Sequence, residues 1–245
     1  MPKLSLPALA LAALAALLVL PAASAAAAAD CRLNRPERLQ FGFCGDSGGW
    51  VGDFADLPTA DRDTSLYALS FRRLPVPGTA GRLWGLRLSG HNRSDDLFLF
   101  VKRQLTGLRP RTRYRVDVAF TLASSAGTGC FGIGGSPGES VYLKAGATTQ
   151  EPRARDVEGY LELNLDKGNQ SEGGRDAVVV GDLATEGADC DGSVWATKRL
   201  RTRPGQLRAR TDKDGNLWVL IGADSGFEGL NRFYLTEIRL RLRAE

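Results

Sequence analysis

Histidine and methionine are almost missing from this 245-residue chain, one of each, and its four cysteines never fall in a C-x-x-C pair. A zinc site of thiolates and imidazoles needs such pairs or clustered histidines, so zinc chemistry is excluded. No stretch after residue 30 sustains an apolar stripe of period 3.6 with helix caps, which removes helical bundles and α/β folds. Also lacking is a clustered basic stripe with aromatic platforms, the footprint of a nucleic-acid binder. The arginines fall on alternate strand positions, as at Arg239, Arg241 and Arg243, and read as a solvated face. No nucleic-acid partner is expected. A weak attraction to acidic glycans or cell-surface polymers is the most that the formal charge of +4 implies.

What is present begins with an export signal. Lys3 supplies a positive start, Leu9 to Leu20 is unbroken and apolar, and Ala23-Ser24-Ala25 after Pro21 fits a small-x-small cleavage site. Residues 1–25 therefore read as a signal peptide, 26–40 as a linker and 41–245 as one domain. The apolar stretch is short for a retained membrane span. Asp30 beside Cys31 does not suit lipoprotein processing. The expected location is extracytoplasmic, periplasmic or secreted, with no transmembrane span after signal cleavage. Cys31, Cys44, Cys130 and Cys190 all follow the signal, and an even count in an exported chain implies disulfides. Of the three connectivities, the pairing expected is Cys31–Cys44 and Cys130–Cys190, the second closing a long loop worth roughly 4 kcal/mol by chain entropy.

From Tyr67 onward the apolar period is two. Tyr114, Val116, Val118, Phe120 and Leu122 alternate with polar or small residues, and Trp84, Leu86 and Leu88 do the same. Further strands are expected at 97–104, 139–145, 158–165, 176–182, 194–201, 205–211, 216–222 and 233–243. Asp214-Gly215, between two alternating runs, predicts a hairpin turn. Many short strands punctuated by Gly and Pro give an all-β fold, an antiparallel β-sandwich or barrel.

The stretch Gly129 to Lys144, GCFGIGGSPGESVYLK, concentrates glycine ahead of one strand. Gly134-Gly135-Ser136-Pro137-Gly138 satisfies G-x-S-x-G, with His91 and Asp95 or Asp96 as conceivable partners. A strand rather than a helix follows, and the order of the three is wrong for a nucleophile elbow, so a structural turn is the reading. The phosphate-cradling spacing G-x-x-x-x-G-K-[ST] is absent. Three polar loops join this stretch as a candidate binding rim: Asn92, Arg93, Asp95 and Asp96; Asp166 and Asn169; Asp224 and Glu228. Ser136 and Glu139 complete it. Carboxylates of this set, such as Glu139, Asp95, Asp166 and Glu228, would be needed for glycoside hydrolysis, but no pair stands out. Asp212 to Asn216 resembles a calcium loop but lacks its downstream acidic ligand. Trp84 and Trp218 sit in alternating runs and read as core, whereas Trp50 and Trp195 read as exposed stacking platforms.

Leu108-Arg109-Pro110-Arg111-Thr112-Arg113-Tyr114-Arg115-Val116 resembles the tyrosine corner of fibronectin-type and jelly-roll sandwiches, where the hydroxyl turns back onto the preceding loop. Phe41 to Trp50 and Phe233 to Leu240 resemble the first and closing strands of galactose-binding-like jelly rolls, the fold of many carbohydrate-binding modules. That resemblance implies a structural Ca²⁺ near Glu237, where an aspartate is more usual. The blocks NRSDDLFLF (92–100), GIGGSPGESVYLK (132–144), DKGNQ (166–170) and DSGFEG (224–229) are similar to an uncharacterised family of bacterial exported proteins, several of which look like lipoproteins. The resulting expectation is a non-catalytic protein recognising a glycan or cell-surface polymer. A polysaccharide or ester hydrolase and a structural envelope protein are the alternatives.

Overall fold

The computed structural model describes residues 32–35 and 37–245, with side chains from Glu37 onward. The expected signal segment 1–25 and Cys31 lie outside the described residues. Among the described residues the chain is built of strands, with one 3-10 turn at Thr59–Asp61. The larger sheet is organised around β16 (Leu230–Ala244). On one side β16 pairs from Phe233 to Ala244 with β8 (Arg113–Ser124), whose far edge carries β13 (Ala196–Arg201) and β14 (Leu207–Arg210). On the other side it pairs first with β6 (Trp84–His91) and then with β2 (Arg38–Gly42). The exchange of partners falls at a bulge between Leu235 and Glu237, where one extra residue re-aims the strand. Beyond these lie β5 (Ser70–Pro75) on β6 and β1 (Arg32–Arg35) on β2. The span 26–40, expected as a linker, thus carries β1 and most of β2. The expected first strand at 41–50 is instead the end of β2 followed by turns.

The second sheet runs β12 (Ala177–Asp182), β9 (Val141–Thr148), β15 (Leu217–Ser225), β7 (Leu97–Leu105), β3 (Val51–Ala55), all antiparallel. The two sheets face each other across one apolar core drawn from Phe41 to Leu242, with Val116, Val118 and Phe120 on one side and Leu99, Val101, Val219 and Ile221 on the other. Two stacked antiparallel layers with alternate residues turned inward make a sandwich of jelly-roll type. The alternation in β8 and β16 reads directly as this one-sided burial. In β7 the first six residues are all buried. Its outward Phe98 and Phe100 are covered by a small sheet of β10 (Ala154–Val157), β11 (Tyr160–Leu163) and β4 (Leu57–Pro58). Gly222 on β15 leaves room for those rings, because a Cβ there would lie 2.6 Å from Phe98.

Two expectations about connections resolve differently. The Asp214-Gly215 turn does not join a hairpin: β14 belongs to the larger sheet and β15 to the second, so the turn carries the chain across the core. The Asp212 carboxylate builds that turn by accepting from the N–H groups of Asp214 and Asn216 at 2.9 and 2.8 Å. The tyrosine corner is present, with the Arg109 N–H donating to the Tyr114 hydroxyl at 3.0 Å.

Candidate functional site

The glycine-rich stretch folds back on itself through Ser136 and Glu139. The Ser136 hydroxyl donates to the Glu139 carboxylate and accepts from the N–H groups of Gly138 and Glu139. The other Glu139 oxygen accepts from Gly129 N–H at 2.7 Å. Burial alone would raise the Glu139 carboxyl, but the bonds from Ser136 and Gly129 hold it below its ordinary value. Ser136 is therefore a turn-former with its hydroxyl committed. Gly134 sits at φ +71 and Gly138 lies against the backbone of Ala184, where a Cβ would come within 2.7 Å. Cys130 is bonded to Cys190, as expected, across a separation of 60 residues. Cys44 is also disulfide-bonded; its expected partner Cys31 is outside the described residues.

This clamping presents two side chains to solvent. Phe131, next to the buried Cys130, is 99% exposed and Ile133 is 72% exposed. Between them and the 189–192 and 227–232 segments lies a cleft of about 540 Å³, lined among others by Phe131, Ile133, Asp191, Phe227, Glu228 and Arg232. Asp191, Glu228 and Arg232 make no side-chain hydrogen bond or ion pair among the described residues. Asp189, also on the wall, is committed to Ser193 and Val194. The cleft therefore offers one naked aromatic ring and three uncommitted charges.

The four polar loops do converge. Gly226 N–H donates to Ser140 O and Glu228 N–H to Ile133 O, both at 2.9 Å, tying the glycine-rich stretch to 224–228. Asn92 Nδ2 donates to Ser225 O and Phe227 O at 2.7 and 3.1 Å. Gln170 reaches the Asp224 carboxylate through its N–H and the Asp95 carbonyl through Nε2, each at 3.0 Å. Several of the expected binding residues are committed within the structure. Asn92 and Asp224 are buried, and Asp166 accepts from Gly168 and Arg175 N–H as a turn cap. Arg93, Asp95 and Asn169 are exposed on their loops, away from the cleft's lining. Of the twelve expected ligand contacts only Glu228 lines the cleft.

At the centre of the convergence is a charge cluster on the outer side of the second sheet. Lys167 Nζ lies 3.0 Å from Asp56, 2.8 Å from Asp224 and 4.0 Å from Asp96. Lys144 Nζ lies 2.7 Å from Asp224 and also donates to the carbonyls of Lys167 and Glu172. Burial, helped by the neighbouring Asp56 and Asp224, pushes Asp96 up to about 7. Burial raises Asp56 likewise and lowers Lys144. For Lys167 burial acts downward, but the surrounding aspartates raise it overall.

The carboxylates named for Ca²⁺ have the following surroundings. Glu237 accepts from Gln40 Nε2 at 2.6 Å and pairs with Arg239 at 2.9 Å. Among the described residues, the grouping able to hold a metal is Asp56, Asp96 and Asp224, without Glu237. There the Lys167 ammonium already occupies the place a cation would take.

Of the tryptophans, Trp50 departs from its expected role as an exposed platform. Trp50 is 1% exposed and meets Phe41 edge-on in the core. Trp195 packs edge-on against Tyr234. Trp84 and Trp218 are half-buried, Trp84 lying under the Arg73 guanidinium. The ring that does stand free, Phe131, sits among glycines, and its neighbours give no alternation from which exposure is read.

No family model matches the chain, and no curated protein matches it. Solved structures similar to it include the family 11 carbohydrate-binding module of the cellulosomal cellulase Lic26A-Cel5E of Clostridium thermocellum, at 13% identity over 80% of this chain and 89% of that one, with a TM-score of 0.35. TmCBM27, a module described for specific mannan recognition, is 14% identical over 83% and 95% of the two chains, with a TM-score of 0.36. TmCBM61, solved with β-1,4-galactotriose, is 11% identical over 83% and 94%, again at 0.36. These values correspond to partial superposition, and the two-layer architecture is a property of this chain's own strand pairing.

Proposed function

We propose that the chain is a non-catalytic, extracytoplasmic glycan-binding protein whose binding site is the cleft beside Phe131. The observation that carries this reading is a phenyl ring 99% exposed at the edge of a cleft of about 540 Å³. Leaving such a ring in water forgoes roughly 1.5–3 kcal/mol of burial, which a stacking ligand recovers. The free carboxylates of Asp191 and Glu228 and the Arg232 guanidinium supply acceptors and donors for hydroxyls around the same opening. The disulfide at Cys130 holds the ring in place before binding, which cuts the ordering cost of association. Disulfides persist in oxidising compartments, in keeping with export. No helix among the described residues is long and apolar enough to cross a membrane.

A glycan array followed by titration calorimetry tests this. The expected result is retention of one glycan class without turnover, weakened about tenfold or more by Phe131→Ala. The melting temperature should not change, since the ring touches solvent. Failure to retain any glycan, or equal binding by the alanine variant, overturns the reading and leaves a structural envelope role.

A further inference from the structure

The outward face of the larger sheet gathers arginines that are scattered in the sequence. The chain has twenty-six arginines and six lysines. Strand register places ten of the arginines on this one face. Arg243, Arg115 and Arg208 stand side by side on β16, β8 and β14. In the adjacent row Arg38 of β2 faces Arg241, which faces Asp117. The next row holds Gln40, Arg239, Ala119 and Arg201. Arg199 opposite Thr121, and Arg113 opposite Arg210, extend the array at its two ends. Nine of the ten are exposed and Arg115 is half-buried.

Three carboxylates share the face. Glu245 pairs with Arg115 and Arg208 at 3.1 and 3.3 Å, Glu237 with Arg239, and Asp117 with Arg243 at 3.8 Å. Arg38, Arg199, Arg201 and Arg241 have no ion pair among the described residues. An ordinary solvated face intersperses both signs. Here like charges stand directly opposite each other across strands, an arrangement that destabilises a sheet. Glu245 and Asp117 offset that cost along Arg243–Arg115–Arg208, whereas Arg38 and Arg241, directly opposed, have no ion pair among the described residues. Small residues, Ala119 and Thr121, floor two shallow grooves of about 250 and 460 Å³ between the arginine rows.

We infer that this face is a second binding surface, independent of the Phe131 cleft, and that its occupant is an acidic polysaccharide. Guanidinium forks take carboxylate or sulfate groups bidentately. The array repeats at about 4.8 Å between strands and about 7 Å along them, a lattice suited to a polymer with regularly spaced anions. No exposed aromatic ring lines the two grooves; Trp195 and Tyr234 pack edge-on further along the same outward side, against Ala123. Within the grooves there is therefore no ring on which bases could stack, as single-stranded nucleic acid requires.

The test uses polygalacturonate, heparin and single-stranded DNA as probes at physiological ionic strength, where the Debye length is about 8 Å. The protein should bind the two polysaccharides more tightly than DNA of equal charge, with affinity falling as salt rises. Replacing Arg199, Arg201 and Arg241 by Gln should weaken polysaccharide binding about tenfold or more. The melting temperature should stay level or rise, since opposed like charges are removed. Replacing Arg93, Arg155 and Arg175 by Gln removes equal charge elsewhere and should leave binding intact, as should Phe131→Ala. Equal losses in the two triple variants, or DNA binding as tight as polygalacturonate, overturns the assignment without touching the cleft.

Discussion

Lys167 is in contact with three carboxylates and almost without solvent. Removing one partner from a buried charge cluster leaves the others uncompensated, so Lys167→Met should cost about 3–5 kcal/mol in denaturant unfolding. Because the ammonium fills the cation position, EDTA should leave the melting temperature of the unaltered protein where it is; a rise on adding Ca²⁺ would contradict this, since a native-state ligand must stabilise. At this scale the sequence was a partial guide. DKGNQ and DSGFEG were legible as polar loops, but that Lys167 and Asp224 face inward depends on the small sheet folding over them, which no local pattern announces. Trp50 was misread because a tryptophan in a glycine-rich turn looks exposed, while its ring closes the end of the core against Phe41.

The disulfide-bound loop is the element on which the cleft depends. Replacing Cys130 and Cys190 by serine releases a 60-residue closure, worth about 4 kcal/mol by the loop-entropy model. The double variant should unfold at lower denaturant. Under conditions where it remains folded, its glycan affinity should fall through a faster off-rate, because Phe131 is no longer held; unchanged affinity would mean that the ring is not part of the site. Strand positions were the most legible feature, since period-two alternation reports one-sided burial and most of this sandwich is buried on one side. The Asp214-Gly215 turn shows the limit. Its residues specify a tight reversal, but whether the chain then pairs with its predecessor or passes to the other layer is decided by which edge is free, β8 for β14 and β7 and β9 for β15.

For the whole molecule, the charge cluster sets a direction for stability against pH. The unfolded Asp96 titrates near its ordinary 3.8, the folded one near 7. Between those values the folded protein holds a proton that the unfolded chain has lost, so stability is greatest below the window and declines as pH rises through it. Asp56, also raised, adds to the slope. The melting temperature should therefore be higher near pH 5 than near pH 8. Asp96→Asn, which fixes the uncharged form, should flatten the profile; an unchanged slope would remove Asp96 from the account. The arginine array belongs to this scale as well. Alternation at Arg239, Arg241 and Arg243 foretold a solvated face, but its sign density arises only when five separate segments come into register.

Residues 230 and 241 belong to the same strand, β16, which begins beside the cleft and ends among the arginines. At about 3.3 Å per residue, that backbone keeps the two some 35 Å apart with little freedom to bend. A polymer lying on the charged side would run in the plane of that strand, and only a chain longer than that span could touch both ends at once.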